Sequence, residues 1–440
     1  MGLFRKKLKN ERRRALVIGL DGVPFTLLEN LKNQGRIPNM GSMFEGGYFG
    51  QMSVCIPEIS SVSWSSFMTG AQSGRHGIYG FIDLEPRTYK MYFPNFTHLQ
   101  VPTMWDDLAL RGKKAVVLNM PATYPARKIN GVLVSGFVAV DINKAVYPPS
   151  FLPVLSDMGY RIDLDTTKAR QDYEFMFRDL DATLKGRTNA VDFFWEEVDW
   201  DLFIVVITGT DRLMHFLWTA YEDSNHPYHH AFLDYFNKVD TFVGRIFDRF
   251  LTLEGSEDGR NRLYMLSDHG FTKIKTEVYL NRWLQEEGYL KFQTDLPETI
   301  MDIGPGSVAF AMDPSRIYIN RKNKYPLGTV EERDYEKVRR ELKDALEKLT
   351  FDDSKVIAKK VYLSEELYHG PHLDRAPDLV MLSHPGYDLK GKASSPLVFG
   401  RTNLMGMHSQ DDAFFFSREG IKCDSIFDVT EIILKPLLAM

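Results

Sequence analysis

The stretch LFIVVITGTDRLMHFLW (residues 202–218) joins an apolar run to a helix-like pattern and carries ionisable groups at the junction. Its first seven residues are almost continuously apolar, which is typical of a strand covered on both faces in a parallel sheet. Asp211 follows, and His215 lies four residues later, so a helix that begins at Asp211 would present both side chains on one face. The stretch predicts an α/β fold that brings polar groups to one edge of its sheet.

The rest of the chain repeats this alternation of apolar runs and helical patterns. Buried strands are predicted at 15–20, 114–120, 202–208 and 262–267, and helices near 23–34, 230–251 and 331–349. Strands that alternate with amphipathic helices indicate a mostly parallel sheet with helices on both faces. Two stretches interrupt the rhythm, at about 141–195 and 280–375. We expect both to be insertions that form a cap over one sheet edge of a single domain spanning 15–440.

Composition excludes several classes of protein. The 440 residues include two cysteines, Cys55 and Cys423, which are too few for a disulfide scaffold or a cysteine-rich zinc site. No unbroken run of 18 or more apolar residues predicts a membrane-spanning helix. A net charge of −5 argues against a protein that binds nucleic-acid polymers through phosphate contacts.

The N-terminal residues 1–14, MGLFRKKLKNERRR, form a basic arm without the apolar core of a secretory signal. We therefore expect a cytoplasmic location. The arm is predicted to be solvated; the alternative is a weak contact with an anionic membrane surface or an acidic partner. The sequence does not predict an oligomeric state.

Acidic and imidazole groups follow the predicted strands. Asp21 ends the first strand, Asp211 follows the run at 202–208, and Asp268-His269 follows the run at 262–267. Ligands of an open parallel sheet bind outside the carboxyl ends of its strands. Three carboxylates would repel one another there unless cations were bound. With His215 and His408, this set favours zinc, manganese or iron; the alternative is a set of helix caps and structural histidines.

A serine-rich segment, PEISSVSWSSFMTG (57–70), is the second candidate for chemistry. It predicts a helix from about Ser61 to Thr69 that stops at Gly70, with Ser60 as the N-cap. A hydroxyl at the positive end of a helix dipole can serve as a nucleophile if a base or a metal activates it. Spacing does not choose among Ser60, Ser61 and Ser63, and a plain capping serine is the alternative.

Taken together, these motifs resemble the type I phosphodiesterase/nucleotide pyrophosphatase family of the alkaline phosphatase superfamily. The resemblance extends from Leu16 to Leu438 and follows the family's order of landmarks. They are Asp21-Gly22, the serine turn before Met-Thr-Gly, SGRHGIYGF, the stretch at 200–218, MLSDHGF, EVYLNRWLQEEGYL, GMH and IFDVTEIILKPL. The resemblance implies an alkaline-phosphatase-like three-layer sandwich with a cap. It also implies hydrolysis of a small-molecule phosphoester with two divalent metal ions.

The resemblance assigns roles by position in the motifs. It implies that Ser60 is the nucleophile and that His76 has a structural role near the site. Two divalent ions are implied, zinc foremost and manganese or iron as alternatives. The implied ligands are Asp211, His215 and His408 for the first ion, and Asp21, Ser60, Asp268 and His269 for the second. Arg75 and Arg212 flank these residues and are candidates for contacts with phosphate oxygens or for surface ion pairs.

One position departs from the family pattern. Nucleotide pyrophosphatases of this family place an asparagine about twenty-one residues after the nucleophile, where it contacts the phosphate, and this chain has Phe81 there. The departure keeps other activities open on the same fold: phosphomonoesterase, phosphonate hydrolase or phosphotransferase. A non-catalytic binding protein is the remaining alternative, although such a protein has no need of six metal-binding side chains.

Overall fold

The computed structural model describes residues 12–352 and 354–439. Most of the predicted basic arm, residues 1–11, lies outside the described residues. At its end, Arg12 and Arg14 form ion pairs with Asp199, and Arg12 also pairs with Asp201. Across the described part of the chain, no helix combines the length and the apolar character that crossing a membrane requires.

Strands and helices alternate through most of the chain. The strands are β1 (Ala15–Leu20), β2 (Tyr48–Met52), β3 (Asp83–Leu84), β4 (Met91–Tyr92), β5 (Ala115–Met120), β6 (Gly131–Ser135), β7 (Val146–Tyr147), β8 (Leu202–Ile207), β9 (Arg262–Leu266), β10 (Gly270–Lys273), β11 (Thr276–Tyr279), β12 (Ala309–Met312), β13 (Arg316–Ile319), β14 (Thr350–Phe351), β15 (Lys355–Val356), β16 (Ala358–Leu363), β17 (Leu379–Ser383), β18 (Tyr387–Lys390), β19 (Phe399–Gly400), β20 (Gly406–Ser409) and β21 (Ala413–Ser417). The α-helices are α1 (Phe25–Asn33), α2 (Pro38–Glu45), α3 (Ser60–Thr69), α4 (Ser73–His76), α5 (Met104–Ala109), α6 (Leu152–Asp157), α7 (Thr166–Ala169), α8 (Tyr173–Glu197), α9 (Gly209–Glu222), α10 (His229–Leu251), α11 (Leu280–Glu286), α12 (Tyr335–Leu346), α13 (Ser364–Leu367) and α14 (Ile426–Leu438).

The central sheet has the strand order β2-β21-β9-β1-β8-β5-β6-β7. Strands β9, β1, β8, β5 and β6 run parallel to their neighbours in this list, and β21 and β7 are antiparallel to β9 and β6. The four strands predicted from apolar runs are β1, β5, β8 and β9, and the remaining parallel strand, β6, was not predicted. The three predicted helices are α1, α10 and α12, with ends that differ by a few residues.

Side chains of β1 alternate between the two faces of the sheet, as the pleat requires. Leu16, Ile18 and Leu20 pack into a core that also contains α1, α2, α8, α9 and α10. Ala15 and Val17 pack into the opposite core with α3, α5 and α14. The result is a three-layer α/β sandwich, as the sequence predicts.

The segment 141–195 differs from its prediction as a cap insertion. Its strand β7 extends the edge of the central sheet beside β6. Its long helix α8 packs on the sheet, with Leu180, Val191 and Phe194 in the same core as Leu16 and Ile18. Exposed charged residues such as Glu174, Arg178 and Lys185 suggested a cap, but the apolar stripe of α8 is enough to dock the helix on the sheet, and Asp179 and Arg187 are buried with it.

A second sheet lies in the region that contains the other predicted insertion, 280–375. Strands β12, β13, β17 and β16 form it, and α11 and α12 pack with it around a separate apolar core. Strands β11, β18 and β19 form a small sheet beside it. This region, which we call the cap unit, is longer than the predicted insertion because it extends to β19, and the chain then returns through β20 to the central sheet.

Candidate metal centre and nucleophile

Three buried aspartates meet at the carboxyl edge of the central sheet. Asp21 follows β1, Asp268 follows β9, and Asp211 lies in the first turn of α9 directly after β8. Since β9, β1 and β8 are neighbours in the sheet, their ends bring the carboxylates together. The structure thus juxtaposes the three acidic groups that the sequence places at strand ends.

Each of these carboxylates has one oxygen held by the protein and one oxygen left over. The Trp64 indole donates a hydrogen bond to Asp21 (3.2 Å), and the Arg212 guanidinium donates one to Asp211 (3.0 Å). The Gly22 backbone N–H donates to Asp268 (3.0 Å). The other oxygens, Asp21 Oδ1, Asp211 Oδ1 and Asp268 Oδ2, are buried without a hydrogen-bond partner. Buried polar atoms are almost always satisfied, so three orphaned oxygens in one place indicate a missing ligand.

Three imidazoles complete the cluster in a common orientation. The Nδ1 atoms of His215, His269 and His408 lie 3.0, 3.0 and 2.8 Å from the backbone carbonyl oxygens of Gly406, Gly270 and Glu58. A neutral imidazole that donates from Nδ1 keeps its lone pair on Nε2. All three Nε2 atoms face the carboxylates, which is the arrangement of metal-binding histidines oriented by a backbone carbonyl.

Distances divide the cluster into two overlapping groups. Asp211 Oδ1 lies 3.3 Å from His215 Nε2 and 3.5 Å from His408 Nε2, and these two nitrogens are 3.0 Å apart. His269 Nε2 lies 3.5 Å from Asp268 Oδ2 and 3.8 Å from Asp21 Oδ1. The imidazole rings of His269 and His408 stack with centroids 3.5 Å apart, which joins the two groups.

The electrostatics of the cluster are those of a site built for cations. Burial, together with the charges of Asp268 and Asp211, raises the pKa of Asp21 well above its usual value. Burial raises the pKa of Asp268 to about 7. Burial also acts to raise the pKa of Asp211, but His215 and His408 outweigh it and hold that pKa well below its usual value. A divalent ion would favour the charged form of every carboxylate here.

Ser60 lies beside this cluster, with its Oγ 3.1 Å from His269 Nε2. It is the first residue of α3 and not the N-cap, which is Ile59, so the prediction of a capping serine is wrong. The Ser60 side chain makes no capping bond and is directed at the cluster instead. The end of the helix agrees with the prediction, because Gly70 closes α3 in the left-handed conformation with φ 63°.

Ser61 and Ser63, the other serines of the segment, do not share this position. Neither lines the cavity above the cluster, whereas Ser60 does. Their hydroxyl oxygens are buried without a hydrogen-bond partner. Among the three serines, the geometry therefore singles out Ser60.

His76 lies behind the nucleophile helix and not in the cluster. Its Nε2 is 3.0 Å from Ser66 Oγ, and its Nδ1 accepts a hydrogen bond from the Ile78 backbone (3.2 Å). Complete burial lowers the pKa of His76 to about 3, so the ring is neutral. It connects α3 to the loop that follows α4, which is a structural role.

Residues of the cap unit face Ser60 across a cavity of about 270 Å³. They are Asp313, Pro314, Ser315, Met381, Ser383, Asp388, Leu389 and Lys390. The Lys390 ammonium pairs with Asp388 at 2.7 Å. No sequence signal marks these residues as part of the site, because they lie on short strands and turns whose positions depend on how the cap packs.

The same cavity includes Arg212 and Phe81 but not Arg75, which is exposed. Arg212 donates to Asp163 at 2.7 Å as well as to Asp211, and its guanidinium lies 4.1 Å from the Phe137 ring centroid. Phe81, at the family's asparagine position, stacks on Phe137 with centroids 5.4 Å apart. The wall beside Ser60 is therefore aromatic where the family pattern has an amide.

The residues present fit two divalent cations. Two groups of side chains each bring their ligand atoms within 4.8 Å of one another. The first group is Asp211, His269 and His408, with His215 beside it, and the second is Asp21, Asp268 and His269. Three orphaned carboxylate oxygens and three imidazoles whose Nε2 atoms face them form a donor set for a borderline metal such as zinc. Cations held there would lie beside the Ser60 hydroxyl, and such an arrangement suits attack on an anionic ester.

Comparisons with known proteins agree with this geometry. Residues 15–411 match the type I phosphodiesterase/nucleotide pyrophosphatase family. A search of curated protein sequences finds no significant match.

Solved structures share the fold over nearly the whole chain. Phosphonoacetate hydrolase from Sinorhizobium meliloti superposes with a TM-score of 0.64 and 16% identity, covering 97% of this chain and 96% of that one. Murine ectonucleotide pyrophosphatase/phosphodiesterase 5 superposes with a TM-score of 0.58 and 13% identity, covering 98% of this chain and 96% of that one. Alkaline phosphatase PafA superposes with a TM-score of 0.61 and 13% identity, again covering 98% of this chain and 96% of the other. The predicted alkaline-phosphatase-like fold is confirmed.

Proposed function

The chain belongs to the type I phosphodiesterase/nucleotide pyrophosphatase family and is a metal-dependent phosphoester hydrolase, and on that premise we propose that it cleaves a small phosphodiester with Ser60 as the nucleophile. The proposed ligands of the first divalent ion are Asp211, His215 and His408. Those of the second ion are Asp21, Ser60, Asp268 and His269. Zinc is the proposed metal, since it takes mixed imidazole and carboxylate ligands. A cytoplasmic location stays a prediction.

One observation supports this proposal most strongly. The Ser60 hydroxyl lies 3.1 Å from His269 Nε2, inside the group of orphaned carboxylate oxygens and Nε2 atoms. A serine is a poor nucleophile at neutral pH unless its pKa is lowered. When bound, two divalent ions would lower the pKa of that hydroxyl and polarise the phosphoryl group.

The residues of the chain define the course of the reaction. Ser60 Oγ loses its proton and attacks phosphorus, so an Oγ–P bond forms while the bond to the leaving oxygen breaks and that oxygen takes up a proton. Water then cleaves the Oγ–P bond and regenerates the serine. The N-terminal turn of α3 directs its positive dipole end toward the phosphoryl oxygens. The cap unit limits solvent access, which strengthens these electrostatic interactions.

A pair of serine variants tests the assignment of the nucleophile. Ser60→Ala should lower kcat by at least about a thousandfold, because the attacking oxygen is absent. Ser61→Ala, the neighbouring residue on the same helix, should retain activity and serves as the matched control. Rapid quenching with a ³²P-labelled substrate should trap label on Ser60 of the wild-type enzyme. Label on another residue, or equal losses in both variants, would contradict the assignment.

A second candidate function follows from Phe81. An aromatic ring in place of the family's asparagine removes a polar contact expected for the phosphate of a nucleotide diester, so a phosphomonoesterase or a phosphonate hydrolase is the second candidate, and a phosphonate hydrolase is among the structures with the same fold. Mono- and diesters of p-nitrophenol and a phosphonate should be assayed with zinc, manganese and magnesium in turn. A higher kcat/KM for diesters supports the first proposal, and a higher value for monoesters or phosphonates supports the second.

A further inference from the structure

A second cavity, of about 340 Å³, lies between the cap unit and the segment around β3, and it does not include any of the proposed metal ligands. We call it the basic cavity. Its walls are formed by Asp83–Arg87, by residues between Tyr318 and Tyr335, by Ser364 and by Leu373–Asp378. Its volume lies within the range of about 300–1,000 Å³ that is usual for small-molecule sites.

Basic side chains line this cavity, and most of its carboxylates are already engaged. The basic residues are Arg87, Arg321, Lys324 and Arg375. Of the acidic residues, Asp83 pairs with Arg316, and Glu85 pairs with Lys90 at 2.9 Å. Asp378 accepts hydrogen bonds from the Tyr335 hydroxyl (2.6 Å) and the Ile319 backbone (2.7 Å), and Asp374 is exposed at the rim. The four basic and four acidic side chains of the lining balance formally, and the positive charge open to an anion lies at Lys324 and Arg375, which have no carboxylate within ion-pair distance among the described residues.

Lys324 is the most informative of these cations. Its Nζ lies 5.8 and 5.6 Å from the ring centroids of Tyr318 and Tyr325, and no carboxylate among the described residues is within ion-pair distance of it. Burial lowers the pKa of Lys324, because the charges of Asp378 and Asp374 act on it only from beyond ion-pair distance and the ammonium has no close counter-ion among the described residues. An anion in the cavity would supply that counter-ion.

Two arginines add further positive charge to the wall of the basic cavity. Arg321 keeps a buried Nε–H with no hydrogen-bond partner, and among the described residues it forms one ion pair, with Glu332 at 3.3 Å at the surface. Arg375 donates to the Tyr92 hydroxyl and has no carboxylate partner among the residues that the structure describes. The guanidinium ends of both arginines line the cavity, and such groups are suited to phosphate oxygens, which accept several hydrogen bonds at once.

We propose that the basic cavity is a binding site for a small phosphomonoester, held by Lys324, Arg321 and Arg375 and separate from the proposed catalytic site. The phosphate group would lie against the three cations, and the tyrosine rings of the cavity wall would contact the organic part. The cavity volume leaves room for both.

The basic cavity also contacts the wall of the catalytic cavity through one buried ion pair. Arg316 binds Asp83, which lines the basic cavity, and its Nε and Nη2 donate to the Asp313 carbonyl at 3.1 and 2.9 Å. Asp313 and Ser315 line the catalytic cavity. The two sites are thus neighbours in the cap unit with different ligand chemistry: fixed cations in one, metal-binding groups in the other.

Isothermal titration calorimetry on the full-length protein after treatment with EDTA tests this proposal. EDTA removes the divalent ions that would hold a phosphoryl group in the catalytic cavity, so binding that persists after this treatment reports on the basic cavity. Glycerol 3-phosphate and inorganic phosphate are the two probes. We expect saturable binding of both probes, with the ester bound more tightly because the cavity holds more than a phosphate.

Matched variants locate the bound anion. Lys324→Met and Arg375→Gln should each weaken binding by at least about tenfold, because each removes a charge-assisted contact. Lys128→Met, a change at an exposed lysine far from the cavity, should leave binding unchanged. Thermal unfolding confirms that each variant is folded. Absence of binding by the wild type, or equal binding by Lys324→Met, Arg375→Gln and Lys128→Met, would overturn the proposal without bearing on Ser60 or the metal ligands.

Discussion

In each of Asp21, Asp211 and Asp268, a hydrogen bond from the protein occupies one carboxylate oxygen and leaves the other available to a cation. Trp64 is the clearest case, because its indole N–H donates to Asp21 Oδ2 and leaves Oδ1 free. Groups that orient a metal ligand in this way contribute to metal affinity without touching the ion. The sequence could not reveal this role, since Trp64 is four residues from Ser60 on a helix and forty-three residues from Asp21.

Trp64→Phe should lower metal affinity by about 10–100-fold, because Asp21 loses the donor that fixes its orientation. Trp105→Phe is the matched control: Trp105 is equally buried in the same core, and its indole N–H has no hydrogen-bond partner. Competition with a fluorescent zinc chelator measures both affinities. Equal affinities in the two variants would show that the Trp64 hydrogen bond does not orient Asp21.

Among the secondary-structure elements, the ends of the parallel strands could be predicted from the sequence, whereas the packing position of a long helix could not. The apolar runs predict β1, β5, β8 and β9 because parallel strands are buried on both faces. Their ends then carry Asp21, Asp211 and Asp268 to one edge without further information. Helix α8 was not predicted to pack on the sheet, because its many charged residues hide the apolar stripe that docks it.

The nucleophile helix depends on the buried imidazole of His76, which makes the stability of the protein sensitive to acid. His76 has a pKa of about 3 in the folded protein and about 6.5 in an unfolded chain. The unfolded state therefore binds an extra proton below about pH 6.5, and stability falls as the pH decreases through that range. The difference between pH 7 and pH 5 amounts to about 2 kcal/mol.

His76→Asn removes this proton uptake and keeps an acceptor for the Ile78 N–H. Its free energy of unfolding should fall by about 2 kcal/mol less than that of the wild type between pH 7 and pH 5. Urea unfolding at both pH values measures this difference. Parallel losses in the two proteins would show that His76 does not carry the acid sensitivity.

At the scale of the whole molecule, the site joins residues from Asp21 to His408 and a cap between them. The sequence predicts the proposed ligands because their motifs occur in the family's order, and the comparisons confirm the family. It did not predict Asp388, Lys390 or Asp313, because the position of a cap residue depends on how a second sheet packs over the first. These residues line the cavity beside Ser60, so the shape of that cavity is the part of the site that motifs do not determine.

Removal of metal ions should destabilise the molecule, because the proposed ligands come together only when the chain is folded. An ion present at a thousand times its Kd stabilises the folded state by about 4 kcal/mol. We therefore expect EDTA to lower the Tm by several degrees and zinc to restore it. Asp268→Asn should show a smaller shift, because the site has lost a ligand. A Tm that is unaffected by EDTA in the wild type would contradict a metal centre in the folded protein.

Crystals of the metal-loaded enzyme would test the convergence of these groups most directly, with anomalous diffraction recorded above and below the absorption edge of the bound metal. The account predicts two anomalous peaks beside Ser60, one among Asp211, His215 and His408 and the other among Asp21, Asp268 and His269. Peaks elsewhere, or a fully active enzyme without metal at this edge of the sheet, would contradict it.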